Sequence, residues 1–273
     1  MENATKALLI SAAVMIAIMV LSLLMMAYNQ VSDYYQTQHT DAMAKQTEEF
    51  NNNFINYDRD NIRGSDLLSL MNKVIDFNER YSYTEGTDYK GIEITIKIGS
   101  QYLDDFTYPL NSSYGMTNTT NHIKEEITNK TGERTNREKD RELIELTGLE
   151  TELIEYARPK GIELNKGKLE TLSANISNIL INENPINQYA ESIIEKRKDV
   201  LKEILGVNDI NNNQIEILKE VTYQYYQFMQ FKRAYFKSSG EFEIDPDTGR
   251  ICGMTFEVCT EQAEDGTTSV IFN

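Results

Sequence analysis

The chain has little of the material from which catalytic and metal sites are made. It contains two cysteines, two histidines, four prolines and no tryptophan among 273 residues. Two cysteines exclude a disulfide scaffold and a cysteine-rich zinc module. Basic residues are the minority charge, because 27 Lys and Arg stand against 43 Asp and Glu and leave a net charge of −16. This balance disfavours a nucleic-acid partner, since phosphate contacts need a basic face.

One long uncharged stretch lies near the start of the chain. Ala7 to Ala27 covers 21 residues, and its polar members are Ser11 and Ser22, whose hydroxyls can bond to carbonyls of their own helix. As a helix this stretch measures about 31 Å, enough to span the hydrocarbon core of a bilayer. A cleaved signal peptide has a shorter apolar region with small residues before the cut, whereas Met25 would stand third before a cut at the end of this run. We therefore expect an uncleaved anchor over residues 1–28, with the lipid bilayer as partner.

The flanking lysines indicate an orientation for this anchor. Positive charge near a membrane segment stays on the cytoplasmic side, and Lys6 lies closer to the apolar run than Lys45 does. The amino terminus is therefore expected inside, with the C-terminal bulk of the chain extracytoplasmic. The acidic balance fits such a domain, because acidic charge keeps it soluble and away from anionic lipid.

The residues after the anchor predict a stalk and then a head. The stretch 29–64 is polar and holds no proline and no glycine before Gly64, so it predicts a helical stalk that continues the anchor. Gly64 breaks this helix, and Ser65 can cap the next one, which carries an apolar face and ends near Asn78. The head is expected to cover residues 65–273.

The next segment predicts one strand, a second strand and an insertion. Ile92 to Ile98 alternates apolar and polar residues without error, which is typical of a half-buried strand in an antiparallel sheet. A turn at Gly99 and Ser100 leads to a second strand near residues 102–108. Residues 111–139 have very few apolar members and predict a mobile insertion or linker.

A run of helices follows in the predicted head. One starts at Arg141 with an interruption at Gly148, and another covers 168–181. Asn184 and Pro185 suit the start of a third, which Gly206 can close. A fourth begins near Asn213.

Aromatic residues recur at helical spacing along this fourth helix. The apolar members of the stripe are Leu218, Val221, Tyr225, Phe228, Phe231 and Tyr235. Such a stripe is typical of a helix face that covers a sheet, and a partner-binding groove is the alternative. On that alternative, Tyr225, Phe228 and Tyr235 are the candidate partner contacts.

The C-terminal residues predict a β-meander. Strands are expected over 241–245, 251–259 and 269–272, with turns at 245–249 and at Asp265 and Gly266. The expected fold class is therefore α+β, with a transmembrane helix, a helical stalk, an antiparallel sheet packed by helices and the meander.

The candidate chemical sites each have a simpler interpretation. Asp245, Asp247 and Gly249 suggest a calcium loop, but the spacing to glycine and the missing glutamate favour a hairpin turn. Cys252 and Cys259 fall on opposite faces of one predicted strand, so they are expected not to bond to each other, with Cys252 in the core and Cys259 a partly exposed thiol.

The remaining polar candidates are expected to lie in solvent. His39 and His122 have no neighbours at ligand spacing, and the basic runs 196–198 and 232–233 predict exposed helix faces. No nucleotide-binding or nucleophile motif occurs. We therefore expect no catalytic residue, no cofactor and no metal, and a protein that is not an enzyme.

Segments near the two ends of the chain carry a resemblance to known proteins: Glu2–Leu8, Phe50, Phe54 and Tyr57, Gly64–Leu67 and, near the end, Phe231–Lys237 and Asp247–Arg250. In these segments the chain resembles small single-pass membrane proteins of clostridial and related Firmicutes bacteria. The resemblance implies a bacterial membrane protein and supplies no activity and no functional residues.

The layout is also similar to that of type IV pilins and pseudopilins. In both, a long N-terminal helix lies half in the membrane and half on an antiparallel sheet. This chain departs from the pilin pattern because no basic leader precedes the helix and Glu2 is its early acid. The first hypothesis is thus a non-enzymatic, pilin-like surface or secretion-apparatus component that associates with itself or with a membrane partner. The second is an anchored sensor whose head binds a ligand under the aromatic helix.

Overall fold

The computed structural model describes residues 2–81, 91–109, 121–129, 141–180, 190–240 and 242–273. These residues form two compact units, one made of 1–53 with 248–250 and the other of 54–247 with 251–273. The fold is α+β, as the sequence predicts, with a long apolar helix at the N-terminus. The predicted start at Asn184 and Pro185 lies outside the described residues.

The helices and strands have the following bounds. The helices are α1 Glu2–Asn51, α2 Gly64–Tyr81, α3 Arg141–Ala157, α4 Lys166–Ala174, α5 Ile176–Ile179, α6 Ala190–Leu205 and α7 Asn212–Arg233. The strands are β1 Ile62–Arg63, β2 Glu93–Lys97, β3 Glu126–Asn129, β4 Tyr235–Ser238, β5 Glu243–Ile244, β6 Ile251–Val258, β7 Thr260–Gln262 and β8 Thr268–Val270.

The helix of the first unit runs without interruption through the predicted anchor and most of the predicted stalk. α1 has 50 residues and ends at Asn51. In the same unit, the Thr47 hydroxyl donates to the Thr248 carbonyl at 3.2 Å and the Asn51 amide to the Gly249 carbonyl at 3.0 Å. The stretch 29–64 is not wholly stalk, because Ile62 and Arg63 form β1 in the second unit.

The main sheet of the second unit is mixed. Its described strands run in the order β1-β4-β6-β2-β3, and β5 pairs with the other end of β6. β2 is antiparallel to β3 but parallel to β6, with Ile94 opposite Met254. The expectation of an all-antiparallel sheet is therefore corrected at this pair. Alternation of residues reports which face is buried and not which way the neighbouring strand runs.

The buried face predicted for β2 is confirmed, but burial does not alternate along the whole strand, because Thr95 on the other face is buried as well. Ile92, Ile94, Ile96 and Ile98 are all at most 2% exposed. They face the helices together with Met254 and Phe256 of β6, which are opposite Ile94 and Ile96. α7 supplies the largest block of helical core on this side, and its start is fixed by a capping box between Asn211 and Gln214.

Two buried asparagines complete the hydrogen bonds at the start of β2. Asn78 of α2 accepts from the Ile92 N–H at 2.8 Å and donates to the Ile92 carbonyl at 3.0 Å. Asn129 of β3 accepts from the Ile94 N–H at 2.7 Å. Both side chains are fully buried, and their amides stand in for the backbone partners that a longer neighbouring strand would provide.

Two sequence predictions between residues 99 and 139 need correction, the second of them over Glu126–Asn129 alone. The second strand expected at 102–108 is a 3₁₀ helix over Ser100–Phe106, because adjacent Asp104 and Asp105 break the alternation that a strand requires. The insertion expected at 111–139 contains β3, whose Ile127 and Asn129 are buried. Residues 110–120 and 130–140 lie outside the described part.

The helical predictions need two smaller corrections. α3 passes through Gly148 without interruption and ends before Pro159. The helix expected over 168–181 divides at Asn175 into α4 and α5. Gly206 closes α6 as predicted, with a left-handed φ of 72° and an N–H bond to the Lys202 carbonyl at 2.8 Å.

The C-terminal strands are confirmed in outline. β6 matches the predicted 251–259, and its turn from β5 has Gly249 at φ 67° as that turn requires. β7 and β8 form a separate two-stranded ribbon. Tyr235, the first residue of β4, was expected in the preceding helix, but the backbone becomes extended at Ala234, where ψ is 148°.

Gly64 occupies a position where no side chain fits. A Cβ on this residue would overlap the carbonyl oxygen of Phe231 in α7, and its N–H donates to the Ala234 carbonyl at 2.9 Å. The start of α2 and the end of α7 therefore touch through their backbones. Gly148, by contrast, has open space around the position of a Cβ.

Gly64→Ala and Gly148→Ala should act in opposite directions on stability. Gly64→Ala forces two backbones apart and is expected to lower the free energy of unfolding by about 3 kcal/mol or more. Gly148→Ala is the matched control and should raise it by about 1 kcal/mol, because alanine is the better helix former. Urea unfolding of the full chain in detergent, followed by tyrosine fluorescence, measures both. Equal effects of the two changes would contradict the close contact.

Candidate anchor, aromatic residues and sheet edge

α1 exposes apolar side chains on all sides of its first half. Leu8, Met15 and Leu24 are 74%, 73% and 62% exposed, and the apolar stretch has no buried member. Ser11 and Ser22 donate to the carbonyls of Ala7 and Ile18 at 2.9 and 2.8 Å, which satisfies their hydroxyls inside the helix as predicted. In the described part of the chain, this helix is long and apolar enough to cross a membrane.

Two of the three aromatic candidates lie in the core. Tyr225 is fully buried and Phe228 is 4% exposed, with their ring centroids 5.9 Å apart. Tyr235 is not on the helix, because α7 ends at Arg233, and it lies half-buried in β4 beside the Arg63 guanidinium at 6.0 Å. The structure therefore does not bring the three together on one exposed surface.

Tyr225 carries a buried hydroxyl that makes no hydrogen bond in this structure. Burial raises the pKa of this hydroxyl above its ordinary value, and the negative charges of Glu150 and Glu170 raise it further. An unpartnered buried hydroxyl is a cost to the fold that phenylalanine would avoid. Tyr156 offers the opposite case, because its exposed hydroxyl lies 2.9 Å from the Glu220 carboxylate.

The two cysteines are not joined by a disulfide, as the sequence predicts, and both are half-buried. Burial raises the pKa of the Cys259 thiol, which favours the protonated and less reactive form. Cys252 shares the core face with Met254 and Phe256 but is less buried than expected for a core residue.

Two residues expected in solvent are not there. His122 is half-buried, and its buried Nδ1 atom makes no hydrogen bond. Arg197 is 2% exposed, although the run 196–198 was predicted as a solvated helix face. Arg197 lies four residues before Leu201, so helical periodicity places both on the buried side of α6. The sequence analysis gave more weight to the positive charge of the run 196–198 and predicted an exposed face. The side chain of His39 lies outside the description.

Metal-ligating residues do not gather in the described ranges. No group of three or more His, Cys, Asp or Glu side chains there is placed to hold an ion. The segment 245–249 forms the hairpin turn, with the Asp247 N–H bonded to the Asp245 carboxylate at 3.4 Å.

A carboxylate closes one edge of the main sheet, which the sequence analysis did not foresee. Glu142, in the first turn of α3, accepts from the Thr128 N–H of β3 at 3.2 Å and from the Lys124 ammonium at 2.9 Å. No motif marks this group, because Ile123 and Ile127 are the only large apolar residues in the sequence from 121 to 142 and the strand there is short.

An open cleft of about 200 Å³ lies on the sheet face opposite the buried isoleucines. Its lining residues are Lys97, Ser239, Gly240, Glu243, Gly253 and Thr255. The lining is polar and carries charges of both signs, and none of the described residues that form it is aromatic.

Comparison with family models, with curated proteins and with solved structures finds no match to this chain. The argument for function therefore rests on the residues and surfaces described above.

Tyr225→Phe is expected to leave the fold intact and to raise the free energy of unfolding by up to about 1 kcal/mol, because it removes an unpartnered hydroxyl. Tyr156→Phe is the control and should lower the free energy of unfolding slightly, since that hydroxyl has a partner. Thermal unfolding followed by near-ultraviolet circular dichroism distinguishes the two. A clear loss of stability in Tyr225→Phe would contradict this, because it would show that the hydroxyl has a stabilising hydrogen-bond partner.

Proposed function

We propose that the chain is a membrane-anchored, non-enzymatic protein whose C-terminal unit lies outside the cytoplasm. The observation that carries this proposal is the apolar surface of α1, which is exposed on every side over about 31 Å of helix. A helix that is apolar all round needs an apolar environment, and lipid supplies one. The backbone groups are satisfied within the helix, as a bilayer requires.

The orientation is part of this proposal and follows from the lysines. Lys6 precedes the apolar stretch directly, whereas Lys45 follows it by 18 residues. Lysine near the span is retained on the cytoplasmic side, so the amino terminus is inside. The net charge of −16 keeps the remainder soluble and repels it from an anionic membrane surface.

Protease treatment of intact cells tests anchor and orientation together. We expect digestion of the C-terminal unit and a small membrane-protected fragment that extends from Met1 to about Tyr28, identified by its mass. Permeabilised cells serve as the control, in which an intracellular marker protein is digested as well. A chain fully protected in intact cells would place the C-terminal unit in the cytoplasm and overturn the proposal.

Within this class we propose a pilin-like surface or secretion-apparatus component. The support is the order of parts along the chain, because one continuous helix is apolar in its first half and polar in its second, and an α+β unit with a sheet follows. In such proteins the helix carries assembly and the second unit carries contacts. The partner is then another copy of the chain or a second membrane protein.

Replacement of residues 7–27 by an unrelated apolar segment of 21 residues tests assembly through α1. The replaced chain should still enter the membrane, since length and apolarity are kept, but its assemblies in mild detergent should be lost. Wild-type chain prepared in the same detergent is the control. Assemblies of unchanged size would contradict a role for the specific surface of this helix.

The polar cleft supports a second candidate, an anchored sensor that binds a small ligand. Its lining includes an ammonium group, a carboxylate and hydroxyls, which suits a polar molecule. The site is not the one expected under the aromatic helix, since Tyr225 and Phe228 are buried in the core. Survival of assembly and function after replacement of α1 would favour this candidate over the pilin-like one.

A further inference from the structure

The outer edge of β3 is one of the two edges of the described main sheet, opposite the edge formed by β1. β3 pairs with β2 on one side, and no other described strand pairs with it. The Ile98 N–H donates to the Glu125 carbonyl at 2.9 Å, and Ile127 is opposite Ile96. In an antiparallel pair, alternate residues direct their backbone groups to the partner. Glu126 and Thr128 therefore direct theirs away from β2.

Glu142 accepts the hydrogen bond of the backbone N–H at the centre of this outer edge, which belongs to Thr128. One oxygen of its carboxylate accepts from the Thr128 N–H at 3.2 Å, and the other accepts from the Lys124 ammonium at 2.9 Å. The carboxylate lies in the first turn of α3, where the helix dipole favours negative charge. It is held in this position by two partners and by the helix.

We propose that the outer edge of β3 is a strand-pairing surface for a second copy of this chain, and that Glu142 keeps it closed. Edge strands with free backbone groups are templates for pairing with another chain, and folded proteins block them with charged side chains. Here the block is direct, because the carboxylate takes the hydrogen bond that an incoming strand would need.

The sequence of β3 fits a second copy of itself. Antiparallel pairing about a twofold axis at Ile127 would place Glu126 of each copy opposite Thr128 of the other. Their outward N–H and C=O groups would then exchange hydrogen bonds in both directions. Glu125 would lie opposite Asn129, so no like charges would stand opposite each other across Glu125–Asn129.

Removal of the carboxylate tests the proposal. We expect the full-length Glu142→Ala variant in detergent to have about twice the assembly mass of the wild-type chain, measured by sedimentation velocity. Glu142→Gln should sediment like wild type, since its amide oxygen still accepts from Thr128. Glu152→Ala is the matched control, because Glu152 is exposed on the same helix, and it should have no effect.

A second change separates edge pairing from other association. Thr128→Pro removes the outward N–H without disturbing the bonds to β2, and proline is tolerated at the outer edge of a sheet. Glu142→Ala combined with Thr128→Pro should return to the wild-type mass. All variants share the same α1, so assembly through that helix cancels in the comparison.

Two results would overturn the proposal. One is a folded Glu142→Ala that keeps the wild-type mass, and the other is a doubled mass that persists with Thr128→Pro. If Glu142→Ala fails to fold, hydrogen exchange of the wild-type chain decides. The backbone amide hydrogen of Thr128 should then exchange slowly with solvent, because it is bonded to Glu142. If it exchanges as fast as the amide hydrogen of an exposed loop, Glu142 does not block the edge and the proposal is wrong.

Discussion

The junction between α7 and β4 is the contact on which the second unit depends. Ala234 ends the helix and is fully buried, and its carbonyl accepts from Gly64 at the start of α2. One residue later, Tyr235 donates to the Ile271 carbonyl and accepts from the Cys259 N–H. Helix, sheet and C-terminal segment therefore meet through backbone groups within two residues. This close approach is possible because residue 64 has no side chain.

The elements that could be predicted are those whose signal is local. Alternation in Ile92–Ile98 revealed β2 and its buried face, and Gly206 and Gly249 marked their turns because each adopts a positive φ. The apolar stretch of α1 was evident from length and charge alone. The start of α7 at Asn212 lies one residue from the start predicted near Asn213.

What could not be predicted depends on partners distant in sequence. β3 is four residues in a polar segment, and it is a strand because Ile96 and Ile98 of β2 offer it backbone groups. β4 continues a helical aromatic pattern, so no local feature separated Tyr235 from the stripe before it. The aromatic stripe was expected first as a core face, and the burial of Tyr225 and Phe228 agrees with that interpretation, although spacing alone did not exclude the alternative of a groove. Arg197 was misplaced because charge outweighed its position beside buried residues.

Short strands in this sheet are completed by side chains instead of by longer neighbours. Inside the core, Asn78 and Asn129 bond the backbone at the start of β2. At the outer edge, Glu142 bonds the backbone of β3. The two places differ in their access to solvent. If a buried asparagine amide moved away, its backbone partners would be left without hydrogen bonds, whereas the half-exposed Glu142 carboxylate can replace its partners by water. The inner bonds therefore fix the fold, and the outer bond is the one that a second strand can replace.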